Sequence, residues 1–217
     1  RLSMPPVNIA VAGAGVIGRA HIAVIAQSSQ CRLSAIADPS EAAQVLAQAH
    51  GVPWFATLDE LLAAVSPDGV ILATPNAMHV PQALQCIAAG VPVLVEKPIA
   101  HTVADAQKLV QATQATQATQ ATQATQAKVL IGHHRAHSPL MRQAKAVIDE
   151  GRLGQLVSVV GSAMFYKPDD YFTQAPWRRE AGGGPILINL IHEIHNLRML
   201  CGEIAQVQAM TSNAVRG

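Results

Sequence analysis

The chain has 217 residues, 50% of them apolar, 13% charged and 3% aromatic. That is apolar material for one full core and part of another, and it excludes a disordered chain. With 15 basic against 14 acidic side chains and no basic block, nucleic acid is not an expected partner. No apolar run approaches the roughly 18 residues of a membrane span, so no membrane partner is expected either.

Short runs rich in β-branched residues alternate with Ala-rich segments of helical length. Val7–Ala12 reads as a strand, and Gly13-x-Gly15-x-x-Gly18 follows it directly and opens a helix over Val16–Gln27. The first glycine permits a tight turn, the second lets backbone approach a pyrophosphate, and the third lets helix pack on sheet. The helix N-terminus at Val16 and Ile17 then offers unpaired N–H groups to phosphate. Leu33–Ala37 is the next strand, closed by Asp38 about 20 residues beyond the glycines, where a carboxylate accepts ribose hydroxyls and repels a 2′-phosphate. The competing interpretation is an ordinary turn followed by a capping Asp.

Helices are expected over Glu41–His50 and Leu58–Val65, then a strand over Val70–Ala73 ending in Thr74-Pro75-Asn76, and a helix over Val80–Ala89. Val91–Val95 leads into Glu96-Lys97-Pro98. A lysine at that sheet edge can polarise a substrate hydroxyl, with Glu96 pairing to hold it; the simpler alternative is an exposed ion pair before a turn. A helix over Val103–Val110 precedes Ala112–Ala127, five Ala-Thr-Gln units and a trailing Ala. Steps of three wind around every helical face and form no apolar stripe, so the tract reads as a solvated spacer. Val129–Ile131 is the last strand of this series, followed by His133-His134-Arg135 and His137.

Beyond it the alternation changes. A helix over Pro139–Glu150 ends at Gly151, Leu156–Met164 reads as a longer strand, and Gly182-Gly183-Gly184 precedes a helix over Pro185–Leu200. Ile204–Ser212 is strand-like again. The expected class is α/β: a Rossmann doubly wound parallel sheet over residues 1–133, with 112–127 as an insertion, followed by the beginning of an α+β second domain over 134–217. Cys31, Cys86 and Cys201 are odd in number and lack a C-x-x-C pair, which predicts buried thiols in a reducing, cytoplasmic setting. His192-Glu193-Ile194-His195 lacks the i, i+4 histidine spacing of zinc proteases, so no metal is expected. Arg1–Pro6 lacks the apolar stretch of a secretory signal, and Met4 reads as the natural start.

In order, Gly13–Gly18 with His21, Asp38, Thr74-Pro75-Asn76 with His79, Ala89-Gly90-Val91, Glu96–Ala100, Gly132-His133 and Gly183-Gly184 leading to His192 resemble the Gfo/Idh/MocA oxidoreductases. The resemblance implies NAD, with NADP second, bound by Gly13, Gly15, Val16, Ile17, Gly18, Asp38, Thr74, Pro75, Asn76, His79, Glu96 and Lys97. It implies catalysis by Lys97 and His192 on a polyol, sugar or related small molecule. Arg135, Trp177, Arg178, Asn189, His192 and His195 are candidate substrate contacts. The family's usual Asp, four residues before the histidine, is Ile188 here, with Asn189 beside it. Relatives are longer and form homo-oligomers through their C-terminal sheet, an assembly not carried over to this chain. The implied function is an NAD-dependent dehydrogenase. The alternatives are a truncated member that binds dinucleotide without turnover and an NAD-dependent glycosidase-like enzyme.

Overall fold

The computed structural model describes residues 5–119, 128–212 and 214. The chain divides into two compact units, one of Arg1–Gly132 with Tyr166–Ile188 and one of His133–Phe165 with Asn189–Gly217.

In the first unit the elements alternate: β1 (Val7–Ala12), α1 (Val16–Ala26), β2 (Cys31–Ala37), α2 (Glu41–Ala49), β3 (Trp54–Phe55), α3 (Leu58–Ala64), β4 (Gly69–Leu72), α4 (Asn76–Ala88), β5 (Val93–Val95), α5 (Val103–Thr119) and β6 (Val129–Ile131). All strand pairs are parallel, in the order β3-β2-β1-β4-β5-β6. This is the doubly wound Rossmann arrangement, and its order reverses between β1 and β4.

Strand residues alternate between two apolar layers because successive side chains point to opposite faces. Ala10, Ala12, Ala35, Ala37, Leu72 and Val95 pack with Leu58 and Leu61 of α3, Val80 and Cys86 of α4 and Leu109 of α5. Val11 and Ile36 pack with Ile22 and Ile25 of α1 and Ala43 and Ala47 of α2. The β1–β2 register skips Ser34, pairing Ile9 with Leu33 and Ala10 with Ala35. That extra residue lets Leu33 and Ile36, an odd spacing apart, share one face.

Local signals set the helix starts. Ser40 caps α2 by accepting from Ala43 N–H, and Thr57 with Glu60 forms a capping box at α3. α4 starts at Asn76 rather than Val80, because Pro81 falls in its second turn and masks the helical pattern. α5 continues through the first Ala-Thr-Gln units as far as Thr119, where Ala and Gln outweigh the mild opposition of Thr. The rest of the tract, residues 120–127, lies outside the described residues. β3 was not expected; at two residues it is too short for periodicity to reveal.

A short helix, α7 (Asp169–Thr173), and a 3₁₀ turn over Pro176–Arg179 precede Gly182. Gly182, at φ +80°, admits the backbone where a Cβ would lie 2.6 Å from that of His101.

In the second unit a 3₁₀ turn over His134–His137, α6 (Pro139–Asp149) and α8 (Ile191–Cys201) pack on one another. α8 follows in sequence on a π-helical turn over Ile186–Leu190, whose first three residues belong to the first unit. The expected strands Leu156–Met164 and Ile204–Ser212 do not form: both segments lack regular secondary structure, and Val157, Val160, Met164 and Met210 are exposed. A strand exists only with a partner for its hydrogen-bond ladder, and neither segment finds one among the described residues.

Of the three cysteines only Cys86 is buried; Cys31 is half-buried and Cys201 exposed. Burial pushes the Cys86 thiol up to about 12. Titration with a thiol-reactive dye should modify Cys201 first and Cys86 only after denaturant is added. Mass spectrometry of the labelled peptides checks the order.

Candidate functional site

The carboxyl ends of β1, β2, β4 and β5 open onto one groove of about 910 Å³ in the first unit, a size suited to a cofactor. Its floor begins where β1 and β4 part. Gly13, at φ +88°, runs against the end of β4: a Cβ there would lie 2.6 Å from Ala73 C and O and 2.8 Å from Thr74 N. Those are backbone atoms with no room to yield. At Gly18 a Cβ would meet Gly13 O at 1.8 Å, so this glycine lets α1 press on the turn. Gly15 differs, since a Cβ there would meet no protein atom within 4 Å. Its bareness leaves space on the groove side, at the N-terminus of α1, which is where a pyrophosphate needs to approach. Val16 and Ile17 line the same rim.

Asp38 locks this loop to β2. Its Oδ2 accepts the Ala14 N–H at 2.8 Å, and its Oδ1 accepts the Ser40 hydroxyl at 2.6 Å and N–H at 2.9 Å. Burial pushes the carboxyl up, but those donors and the Arg19 charge outweigh it and hold Asp38 below the usual carboxylate range. Oδ1 is filled by its two Ser40 donors, whereas Oδ2, with the single Ala14 donor, keeps a second lone pair for a ligand hydroxyl.

The β4 and β5 loops are tied by His79, which is 1% exposed. Its Nδ1 lies 2.8 Å from Pro98 O and its Nε2 2.9 Å from Thr74 O. Burial depresses its protonation and prevails over the two carbonyls, so the ring is neutral and donates to one carbonyl at a time. Expected as a cofactor contact, His79 spends both ring nitrogens on the protein. Thr74 Oγ1 donates to Gln82 Oε1 at 2.6 Å, and Asn76 Nδ2 donates to Gly182 O at 3.1 Å. Thr74, Pro75 and Asn76 all line the groove.

Beyond β5, Glu96 is buried and Lys97 lies beside it in the groove wall. Glu96 Oε1 accepts His21 Nε2–H at 2.8 Å, and Oε2 accepts the Lys97 backbone N–H at 3.2 Å. Burial raises the Glu96 carboxyl, and His21 with the Lys97 N–H and ammonium pulls it below its ordinary value. Gly132 makes room, because a Cβ there would come within 3.0 Å of Glu96 Oε1. Lys97 Nζ donates to Ile188 O at 3.1 Å. Trp177 and Arg178 line the same groove, the guanidinium 4.0 Å from the Tyr171 ring centroid and donating to Tyr171 O at 2.6 Å.

The second unit holds Arg135, Asn189, His192 and His195. His192 is 4% exposed, with the His134 ring 4.9 Å away edge-on, and His195 stacks on His133 at 4.2 Å. Burial, then the charges of Arg198 and His137, depress protonation of His195. Arg135 is engaged by Glu193 in an ion pair. Sequence reading missed this imidazole cluster, since its members come from segments nearly 60 residues apart. It also gave His21 no role, although His21 lies one turn beyond Gly18 on α1, facing the sheet edge.

A family model described as an oxidoreductase family with NAD-binding Rossmann fold matches residues 7–124, and the GFO/IDH/MocA C-terminal domain model matches residues 141–217. The chain belongs to the Gfo/Idh/MocA family. It carries that family's NAD-binding Rossmann fold, and the glycine loop, Asp38 and the groove fit the cofactor. Among its Gfo/Idh/MocA relatives, the rhizopine catabolism protein MocA of Rhizobium meliloti is 29% identical over 97% of this chain and 64% of its own length. An inositol 2-dehydrogenase of Rhizobium meliloti is 29% identical over 91% of this chain and 56% of its own. The WlbA dehydrogenase of Bordetella pertussis, solved with NADH and UDP-GlcNAcA, superposes with a TM-score of 0.82 at 27% identity, covering 91% of this chain and 59% of that one. The chain thus spans between half and two thirds of these relatives' length. Among the described residues no helix is long and apolar enough to cross a membrane, and no group of three or more His, Cys, Asp or Glu is placed to hold a metal.

Two outcomes follow from this geometry. Gly13→Ala should destabilise the fold, whereas Gly15→Ala should fold normally and lose at least about tenfold in NAD affinity, ~1.4 kcal/mol. Thermal melting and titration calorimetry separate the two.

His79 is held below its ordinary value of 6.5 in the fold, so the unfolded chain takes up its proton first as pH falls. Stability should therefore decline from about pH 7 toward pH 5, before Asp38 and Glu96, also lowered, begin to titrate. Denaturant midpoints across that range should vary less in His79→Gln, the remaining dependence following His195, whose protonation is also depressed.

Proposed function

We propose that this chain is an NAD-dependent oxidoreductase that moves a hydride between nicotinamide and a hydroxyl or carbonyl carbon of a polyol, sugar or related compound. One observation carries the reading: Lys97, at the end of β5, shares a single groove with the glycine loop and Asp38. The residues proposed to hold the dinucleotide are Gly13, Gly15, Val16, Ile17, Gly18, Asp38, Thr74, Pro75, Asn76, Glu96 and Lys97, with His79 bracing the loops behind them. Asp38, kept ionised, favours NAD over NADP because a 2′-phosphate would face its charge.

The cofactor supplies the hydride acceptor. Lys97 is proposed to polarise the substrate oxygen and stabilise alkoxide character as the proton leaves. His192 is proposed as the base that takes that proton. Arg135, Trp177, Arg178, Asn189 and His195 are proposed contacts for the rest of the substrate, with Arg135 already committed to Glu193. The substrate class is supported by the names of the relatives, inositol 2-dehydrogenase and 1,5-anhydro-D-fructose reductase among them.

A second reading, dinucleotide binding without turnover, is favoured by Ile188 standing where the resemblance expects an acid. Calorimetry with NAD and NADP, followed by assay of NADH formation on inositols and sugar alcohols, separates the two. Turnover with tighter NAD binding supports the first reading, and binding without turnover the second. In an active protein Lys97→Ala should cost about 10²-fold or more in turnover while NAD still binds. Near-normal turnover in that variant would remove Lys97 from the chemistry. Asp38→Ala should narrow the preference for NAD, and tighter NADP binding by the unaltered chain would overturn it.

A further inference from the structure

The lysine of the groove is held in an unusual way. Lys97 Nζ donates to the main-chain carbonyl of Ile188 at 3.1 Å, and Ile188 itself lines the groove. Its aliphatic side chain can accept nothing. The carbonyl is offered by the π-helical turn Ile186–Leu190, set up by Gly184 at φ +85° and closed on its N-terminal side by Ile188 N–H to Gly184 O at 3.0 Å. A π turn spaces its hydrogen bonds five residues apart. Its carbonyls fall out of line with the α-helical ladder and can meet an outside donor.

We infer that the Ile188 main-chain carbonyl is the seat that positions the Lys97 ammonium, doing with a neutral dipole what an acidic side chain would do with a charge. The electrostatic consequence differs from that of an acid. A carboxylate at position 188 would add a second negative charge beside an ammonium that already interacts with the Glu96 carboxylate, whereas a carbonyl orients the ammonium without adding one. Ile188 is thus a positioning residue that acts through Lys97, and its contribution survives any side-chain change that preserves the turn. The inference deepens the reading of Lys97 given above and rests on it. Its test uses no substrate, so loss of this contact and loss of turnover are distinguishable.

The test weakens the carbonyl alone. Replacing Asn189 by its α-hydroxy acid turns the Ile188–Asn189 amide into an ester, whose carbonyl is a poorer acceptor. The same exchange at Leu190 also deletes one N–H from the turn but leaves the Ile188 carbonyl an amide. In the full chain, acetic anhydride labelling of Lys97, read by mass spectrometry, should run several-fold faster in the 189 ester. It should stay at the parent rate in the 190 ester and in Ile188→Leu. Parent-rate labelling of the 189 ester would overturn the proposal. So would equal acceleration in either of the other two proteins, which would assign the effect to turn stability or to the side chain.

A second measurement needs no ester. With isoleucine labelled at its carbonyl carbon, Lys97→Met should move the Ile188 carbonyl resonance and leave that of Ile191 in place. An unmoved Ile188 resonance would also overturn the proposal.

Discussion

Everything at the sheet's carboxyl edge depends on how closely β1 and β4 can end beside each other. Gly13 leaves β1 with its Cα pressed on the Ala73–Thr74 peptide, at a distance that no side chain would survive. Because the strand order reverses there, the chain departs in opposite directions from two adjacent strands and leaves a crevice. The Gly13 N–H donates to Ala37 O, and Asp38 takes the Ala14 N–H, so the loop is held from β2 as well as from β4. The glycine loop is thus positioned by three strands at once, and its outer face at Gly15 remains bare.

Buried polar groups do the corresponding work at β4 and β5. Desolvating an imidazole or a carboxylate is unfavourable unless its hydrogen bonds are met. His79 sits between Thr74 O and Pro98 O and donates its one N–H to either, and Glu96 joins His21 to the Lys97 backbone. Each brace spans a loop that lines the groove. The unfavourable burial is offset by geometry that fixes where Lys97 starts, while the Ile188 carbonyl fixes where its ammonium ends.

The second unit shows the opposite economy. His133 stacks on His195 and meets His192 edge-on, His192 also meets His134, and the neighbouring Glu193 is turned to Arg135. Burial, reinforced by the charges of Arg198 and His137, depresses protonation of His195.

The parallel sheet was legible in the sequence because it is written locally. Apolar β-branched runs, helix caps at Ser40 and Thr57, and the spacing from Gly13 to Asp38 all operate within about 25 residues, and periodicity reports them directly. The positions of Gly13, Asp38 and Lys97 at the ends of β1, β2 and β5 followed from that pattern. What the sequence could not disclose is set by pairing across distance. Leu156–Met164 and Ile204–Ser212 have the composition of strands, but a strand is defined by its neighbour and these have none among the described residues. His79 reads as one more residue at a ligand edge until the fold places carbonyls from two separate loops on its two nitrogens. Ile188 looks like a lost acid, and only the π turn, a property of backbone geometry rather than of side-chain type, turns its carbonyl toward Lys97. Local sequence determined which elements form and where their polar ends lie; tertiary structure decided the partners of those ends, because hydrogen bonds and desolvation depend on distances that close only when the chain has folded.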